Sequence, residues 1–195
     1  MGGGAFLNIL KKVGFNDLTG VDLFIDEKNM KKGIKVYQSS LEDFKPNRKY
    51  DIVMSTHALE HMDNQSENIK CFEKLVVDDG LVIIRIPIKS SAVWEKYGVN
   101  WSQIDAPRHF FLHTVESFRI LVNNTNLVIE NIIFDSDEHI FENCEKYANN
   151  ISMRDKEWNT FKLDKKTSKE LANEVRNLNK KGESDQAIFI LKLKK

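Results

Sequence analysis

The sequence predicts an α/β fold with a mostly parallel sheet flanked by helices, an antiparallel last strand and a helical insertion before that strand. Apolar runs at 50–55 and 81–86 have the character of strands buried on both faces, which is typical of parallel sheets. Two further runs, at 127–134 and 186–193, enclose a polar stretch with helical patterning at 135–185. That stretch has too few apolar residues to bury a core alone, which indicates an insertion.

The other elements follow from local patterns. Phe6, Ile9, Leu10 and Val13 recur at helical spacing, so residues 5–13 are expected to form a helix with one apolar face. Thr114 is a good N-cap for a helix at 114–124. The remaining predicted elements are strands at 18–23 and 34–37 and a helix at 65–76.

The bulk composition favours one cytoplasmic domain over residues 1–195. The 29 basic and 29 acidic residues balance, so electrostatics predict neither a nucleic-acid nor a membrane partner. Apolar runs such as 81–84 are far short of the ~20 residues of a membrane helix. Cys71 and Cys144 are far apart and have no metal-ligand spacing, which is typical of ordinary thiols in a reducing compartment.

A glycine turn and a later acid indicate a nucleoside ligand. Gly2 and Gly4 precede the first helix, where glycine lets backbone N–H groups approach a ligand. Asp22 ends a predicted strand about 20 residues later, the spacing at which dinucleotide-binding sheets place an acid on ribose hydroxyls. The alternatives are a flexible glycine tail and an aspartate that only caps a turn.

Several motifs together resemble the class I S-adenosylmethionine-dependent methyltransferases, whose fold is Rossmann-like. The chain has the Tyr-Asp-x-Val strand motif at 50–53, Ala-Leu-Glu-His at 58–61 and Asp-Asp-Gly-Leu at 78–81, besides the glycines and Asp22. Of these, Ala-Leu-Glu-His in its strand context is the most specific. The resemblance covers roughly residues 1–134 and implies transfer of a methyl group from S-adenosylmethionine to a small-molecule acceptor.

The resemblance also assigns roles to residues. Gly2 and Gly4 match the turn near the methionine part of the cofactor, and Asp22 matches the ribose-binding acid. The remaining cofactor contacts implied are Leu23, Ser40 and Leu41 beside the adenine, and Thr56 and Leu59 below the sulfonium. Ser40 departs from the acid that many members have at that position, so recognition of the adenine amine is open.

The segment 101–109 resembles one that closes over the active site in some of these enzymes. Trp101 and Arg108 are expected to contact the substrate, and His61 and His109 are the candidate general bases. In the alternative interpretation, Trp101 anchors the segment by packing and Arg108 forms a salt bridge. The five histidines have no recognised metal-ligand spacing, so no metal site is predicted.

The chain begins, by the same resemblance, after the first strand of the family. That strand would lie between those of Asp22 and Tyr50, so its neighbours are expected to lack backbone partners. A start assigned too far downstream, a truncated segment and a degenerate relative are all compatible with this pattern. An opened sheet could recruit a second copy as a homo-oligomer. Two other functions stay open: a non-catalytic methyltransferase-like interaction protein, and a nicotinamide dehydrogenase, which would not explain residues 58–61.

Overall fold

The structure is a computed structural model that describes residues 4–25 and 33–195. Its helices are α1 (Ala5–Lys12), α2 (Gln65–Leu75), α3 (Ser91–Tyr97), α4 (Val115–Asn123), α5 (Glu138–Ala148) and α6 (Lys165–Lys181). Its strands are β1 (Leu18–Val21), β2 (Ile34–Tyr37), β3 (Tyr50–Thr56), β4 (Val76–Pro87), β5 (Leu127–Phe134) and β6 (Gln186–Leu193).

The strands form two sheets, one of four strands and one of two. The larger sheet has the order β3-β4-β6-β5, and β6 is antiparallel to both of its neighbours. Strands β3, β4 and β5 therefore run in one direction, and the predicted fold class with its antiparallel last strand is confirmed. The smaller sheet is the parallel pair β1-β2. Among the described strands, β1 and β3 are each paired on one side only.

Strand β4 begins at Val76, earlier than the predicted start at residue 81. Residues 78–80, which have the sequence of a turn, lie inside the strand and form an irregularity in it. Tyr50 pairs with Val76, but Ile52 pairs with Leu81, so the register shifts between the two pairs. Gly80 is needed at this shift. A Cβ at this position would lie 2.7 Å from the carbonyl oxygen of Asp51 and 2.6 Å from Val76 Cγ2.

The main core fills the space between the larger sheet and helices α2 and α4. Its fully buried side chains include Ile69 on α2, Ile84 on β4, Phe118 on α4 and Phe189 on β6. The rings of Phe118 and Phe189 pack with their centroids 4.2 Å apart. These contacts fix β3 and β4 side by side and thereby set the position of the loop that follows β3.

A second core lies under helices α3, α5 and α6. The insertion contributes Phe141, Cys144, Leu171 and Val175, and the segment after β4 contributes Val93, Tyr97 and Trp101. The insertion thus shares its core with residues outside it. That agrees with the expectation of an insertion in one domain, which stays a prediction.

The apolar face of α1 is not buried as the pattern predicted. Phe6, Ile9 and Val13 are all exposed, and so are Ile52 and Met54 on β3.

Within residues 4–25 and 33–195, no helix combines the length and apolar character that a membrane crossing demands.

Candidate active site

The loop after β3 carries the most specific motif of the chain. It forms a 3-10 turn over Leu59–His61, and the N–H of His57 donates to the carbonyl oxygen of Arg85 at 3.0 Å. His57 adopts φ +47°, a left-handed conformation that non-glycine residues rarely take. The turn is therefore held at the end of two parallel strands, where open α/β sheets bind their ligands.

Arg85 connects this loop with the end of β5. Its Nη1 donates to His57 Nε2 at 2.9 Å, and its Nε donates to Asp135 Oδ2 at 2.6 Å. Because arginine has only donors, His57 Nε2 must accept and Nδ1 carries the proton. His57 Nδ1 lies 3.3 Å from Glu60 Oε1, so the ring orients the carboxylate of Glu60.

His61 and His109, the two candidate general bases, face each other. Their ring centroids are 4.7 Å apart in an edge-on arrangement. His61 Nδ1 lies 2.9 Å from the carbonyl oxygen of Arg108, and His109 Nδ1 lies 2.7 Å from that of Gln103. A carbonyl can only accept, so both Nδ1 atoms carry hydrogen and each neutral ring keeps a lone pair on Nε2.

The segment that carries His109 is attached to the 3-10 turn. The N–H groups of Phe110 and Phe111 both donate to the carbonyl oxygen of Glu60, at 2.8 and 3.4 Å. Arg108 pairs with Asp105 at 2.6 Å, and its side chain is 60% exposed. The salt bridge of the alternative interpretation is thus present, and the exposed guanidinium leaves substrate contact as a prediction.

Two residues with predicted ligand contacts have buried side chains. Trp101 is only 2% exposed, and its Nε1 donates to Asp185 Oδ2 at 2.7 Å inside the second core. Leu59 is fully buried in the main core. Trp101 thus packs as the alternative interpretation had it, Leu59 anchors the turn, and the ligand contacts of both residues stay predictions.

Asp22 directly follows β1. Its N–H donates to the carbonyl oxygen of Tyr37, and its Oδ1 accepts from the N–H of Phe24 at 2.9 Å. The carboxylate therefore orders a turn that leaves Leu23 exposed. The ribose contact of Asp22 stays a prediction.

The remaining predicted cofactor contacts lie in separate loops. Ser40 closes a local turn, because its Oγ donates to Asp43 Oδ2 at 2.7 Å and accepts from the N–H of Asp43. Leu41 packs against the main core, and Thr56 is exposed at the end of β3. Their roles stay predictions.

Of the two glycines, Gly4 is described and Gly2 lies outside the described residues. Gly4 is the N-cap of α1 with φ 69°, a left-handed conformation in which glycine has no steric cost.

Sequence reasoning missed the network that supports the site. The signal for Arg85 was present, because a charged residue in an otherwise apolar, buried strand usually has a partner. Asp135 gave no signal, since it is 50 residues away along the chain. The sequence also indicated no metal ligands, yet Glu60, His61 and His109 offer atoms that all lie within 4.8 Å of one another.

Comparison with protein families identifies the domain. A family model described as a methyltransferase domain matches residues 1–132, more than half of the chain. No curated protein matches the sequence.

Solved structures share the fold at low sequence identity. An S-adenosylmethionine-dependent methyltransferase from Archaeoglobus fulgidus is 20% identical over 99% of this chain and 82% of its own, with a TM-score of 0.56. StiE O-MT is 16% identical to this chain, with a TM-score of 0.59. The match covers 99% of this chain but only 65% of StiE O-MT. The 1,6-didemethyltoxoflavin-N1-methyltransferase of Burkholderia thailandensis, solved with bound 1,6-didemethyltoxoflavin and S-adenosylhomocysteine, is 9% identical over 100% of this chain and 68% of its own, with a TM-score of 0.59.

The motif after β3, the mixed sheet and the family match all lead to one assignment. The chain belongs to the methyltransferase-domain family.

Proposed function

We propose that this chain takes part in methyl transfer from S-adenosylmethionine to a small-molecule acceptor. The observation that carries the proposal is the tautomer of His61, whose Nδ1–H donates to the carbonyl oxygen of Arg108 at 2.9 Å. The ring is thereby oriented with an Nε2 lone pair beside His109, which is what a general base requires.

The cofactor supplies a methyl carbon that its positive sulfur already activates. The chain's residues then have two tasks, which are to align the acceptor with that carbon and to accept its proton. In this proposal the acceptor's X–H bond breaks toward His61 Nε2 while the new X–C bond forms and the carbon–sulfur bond breaks. Arg108 is exposed next to these histidines and is suited to an acceptor with an anionic or carbonyl group.

Asp22 and Gly4 are proposed to hold the cofactor. Asp22 follows the carboxyl end of β1, where its carboxylate can accept from a ribose diol. Gly4 begins α1 in a left-handed conformation, and the first N–H groups of that helix have no partners within the helix. Leu23, Ser40, Leu41 and Thr56 are proposed as further contacts around the adenine and the sulfur.

Calorimetry with S-adenosylmethionine tests the binding part. Asp22→Asn keeps an Oδ1 for the turn bond to Phe24 but removes the charge, so binding is expected to weaken about 10- to 100-fold. Asp164→Asn is the matched control, because Asp164 caps α6 with a similar backbone bond outside the site. Equal affinity of wild type and Asp22→Asn would contradict the ribose role.

A second measurement tests catalysis. Formation of S-adenosylhomocysteine with a panel of hydroxyl- and amine-bearing acceptors should fall about 10²- to 10⁴-fold in His61→Gln. Cofactor binding without turnover on any acceptor would instead favour the non-catalytic interaction protein.

A further inference from the structure

We propose that Glu60, His61 and His109 form a binding site for a divalent transition-metal ion such as Zn²⁺. Two imidazoles and one carboxylate are a common ligand set for such ions. One ligand atom from each residue lies within 4.8 Å of the other two. No spacing along the sequence indicates this group, because His109 arrives from a different segment.

The carboxylate of Glu60 is the strongest sign of a missing partner. Glu60 is 2% exposed, and its Oε1 is oriented by His57 at 3.3 Å. Its Oε2 is buried and has no hydrogen-bond partner among the residues that the structure describes. A buried carboxylate oxygen is expected to have a donor or a cation beside it, because leaving it unsatisfied is costly.

Both histidines are prepared as metal ligands. Metal-binding histidines usually donate the other ring N–H to a carbonyl or carboxylate, which fixes the ring and its tautomer. His61 and His109 both do so, through Nδ1 to the carbonyl oxygens of Arg108 and Gln103. The Nε2 lone pairs therefore remain for coordination.

Asp105 gives a further reason for a cation. Its Oδ2 lies 3.6 Å from His109 Nε2. With hydrogen on Nδ1, a neutral His109 presents a lone pair to this carboxylate, and two acceptors facing each other repel. A metal ion or a proton bound at His109 Nε2 removes the repulsion, and the unsatisfied Glu60 oxygen favours the metal.

The distances require a modest contraction. Bonds of about 2.1 Å place ligand atoms about 3–4 Å apart, so the side chains must move inward by roughly an ångström. His61 is exposed and has room to turn. Three protein ligands leave one coordination position open, as in catalytic zinc sites.

The site goes beyond the proposed methyl transfer. Metal coordination and proton acceptance use the same Nε2 lone pair of His61. His61 therefore cannot bind the metal ion and act as a general base at the same time.

The test uses the full chain, free of tags and treated with chelator, without S-adenosylmethionine. Zn²⁺ calorimetry is expected to show one equivalent bound, and Co²⁺ should give visible absorption bands of a nitrogen- and oxygen-ligated ion. Glu60→Gln, His61→Gln and His109→Gln should each weaken Zn²⁺ binding at least tenfold. Because His61 is exposed, His61→Gln is expected to leave the fold intact even where Glu60→Gln does not.

His139→Gln is the matched control, since His139 lies 3.4 Å from Glu142 on α5 without a third ligand. It should bind Zn²⁺ like wild type. Absence of Zn²⁺ binding by wild type would overturn the proposal and leave a proton on His109 as the explanation. So would unchanged binding in all three ligand variants. Because no cofactor is present, a failure here does not bear on S-adenosylmethionine binding.

Discussion

Replacing Trp101 with phenylalanine tests whether one buried hydrogen bond holds the segment that carries His109. Trp101 Nε1 donates to Asp185 Oδ2 at 2.7 Å, and Ser136 Oγ donates to Asp185 Oδ1 at 2.6 Å. Burial raises the pKa of the Asp185 carboxyl, while these two donors favour its ionised form. Trp101→Phe removes one of the two donors and part of the ring that fills the second core.

Two terms set the size of the effect. A hydrogen bond to a charged group contributes about 1.5–3 kcal/mol, and its loss here leaves a buried acceptor unpaired. The smaller ring adds about 1 kcal/mol through the cavity it leaves. The free energy of unfolding is therefore expected to fall by about 2–4 kcal/mol, which for a chain of this size lowers Tm by roughly 5–15 °C.

Urea unfolding followed by far-UV circular dichroism measures this loss. Trp94→Phe is the matched control, because Trp94 is 40% exposed and its contact with Lys89 is one that a phenylalanine ring also makes. Its cost should stay below about 0.5 kcal/mol. If both variants lose the same stability, the bond to Asp185 does not carry the anchoring role assigned to it.

Two further perturbations probe the scaffold. Burial lowers the pKa of His113 below its ordinary 6.5, so the native state favours the neutral ring. The neutral His113 ring therefore contributes fully to the free energy of unfolding above pH 6.5, and this contribution is lost as pH falls below that value. Urea unfolding between pH 7.5 and 5.5 should show this decline, at most about 1.4 kcal/mol per pH unit, and a slope that is unchanged in His113→Gln would refute it. Gly80→Ala places a Cβ 2.7 Å from the carbonyl oxygen of Asp51 and should cost about 1–3 kcal/mol in the same assay, whereas a loss under 0.5 kcal/mol would show that the register shift adapts.

Local patterns predicted most of the elements correctly. Strand β2 has the predicted bounds, and α4 begins after the predicted cap, where Thr114 accepts from the N–H of Ser117. Such features depend on neighbours within a few residues, which the sequence displays directly. The sequence pattern also predicted helix α1 and its apolar face correctly. Whether that face is buried depends on what packs against it, and the pattern does not contain this information.

Ligand contacts were harder to predict, because exposure is a tertiary property. Trp101 and Leu59 were expected to contact ligands, and both are buried in the two cores. The sequence around an aromatic or aliphatic loop residue has the same pattern whether the side chain faces a substrate or the protein interior.

The sequence by itself determined the order of strands and helices, the family and the histidine at the end of the β3 motif, since each depends on residues close together in the chain. Only the tertiary structure decided that Arg85 joins His57 to Asp135, and that His109 meets Glu60 and His61. Hydrogen bonds and shared ligand atoms require distances of a few ångströms. Residues 48–50 positions apart reach such distances only when parallel strands end at one edge of a sheet and a distant segment folds back over it.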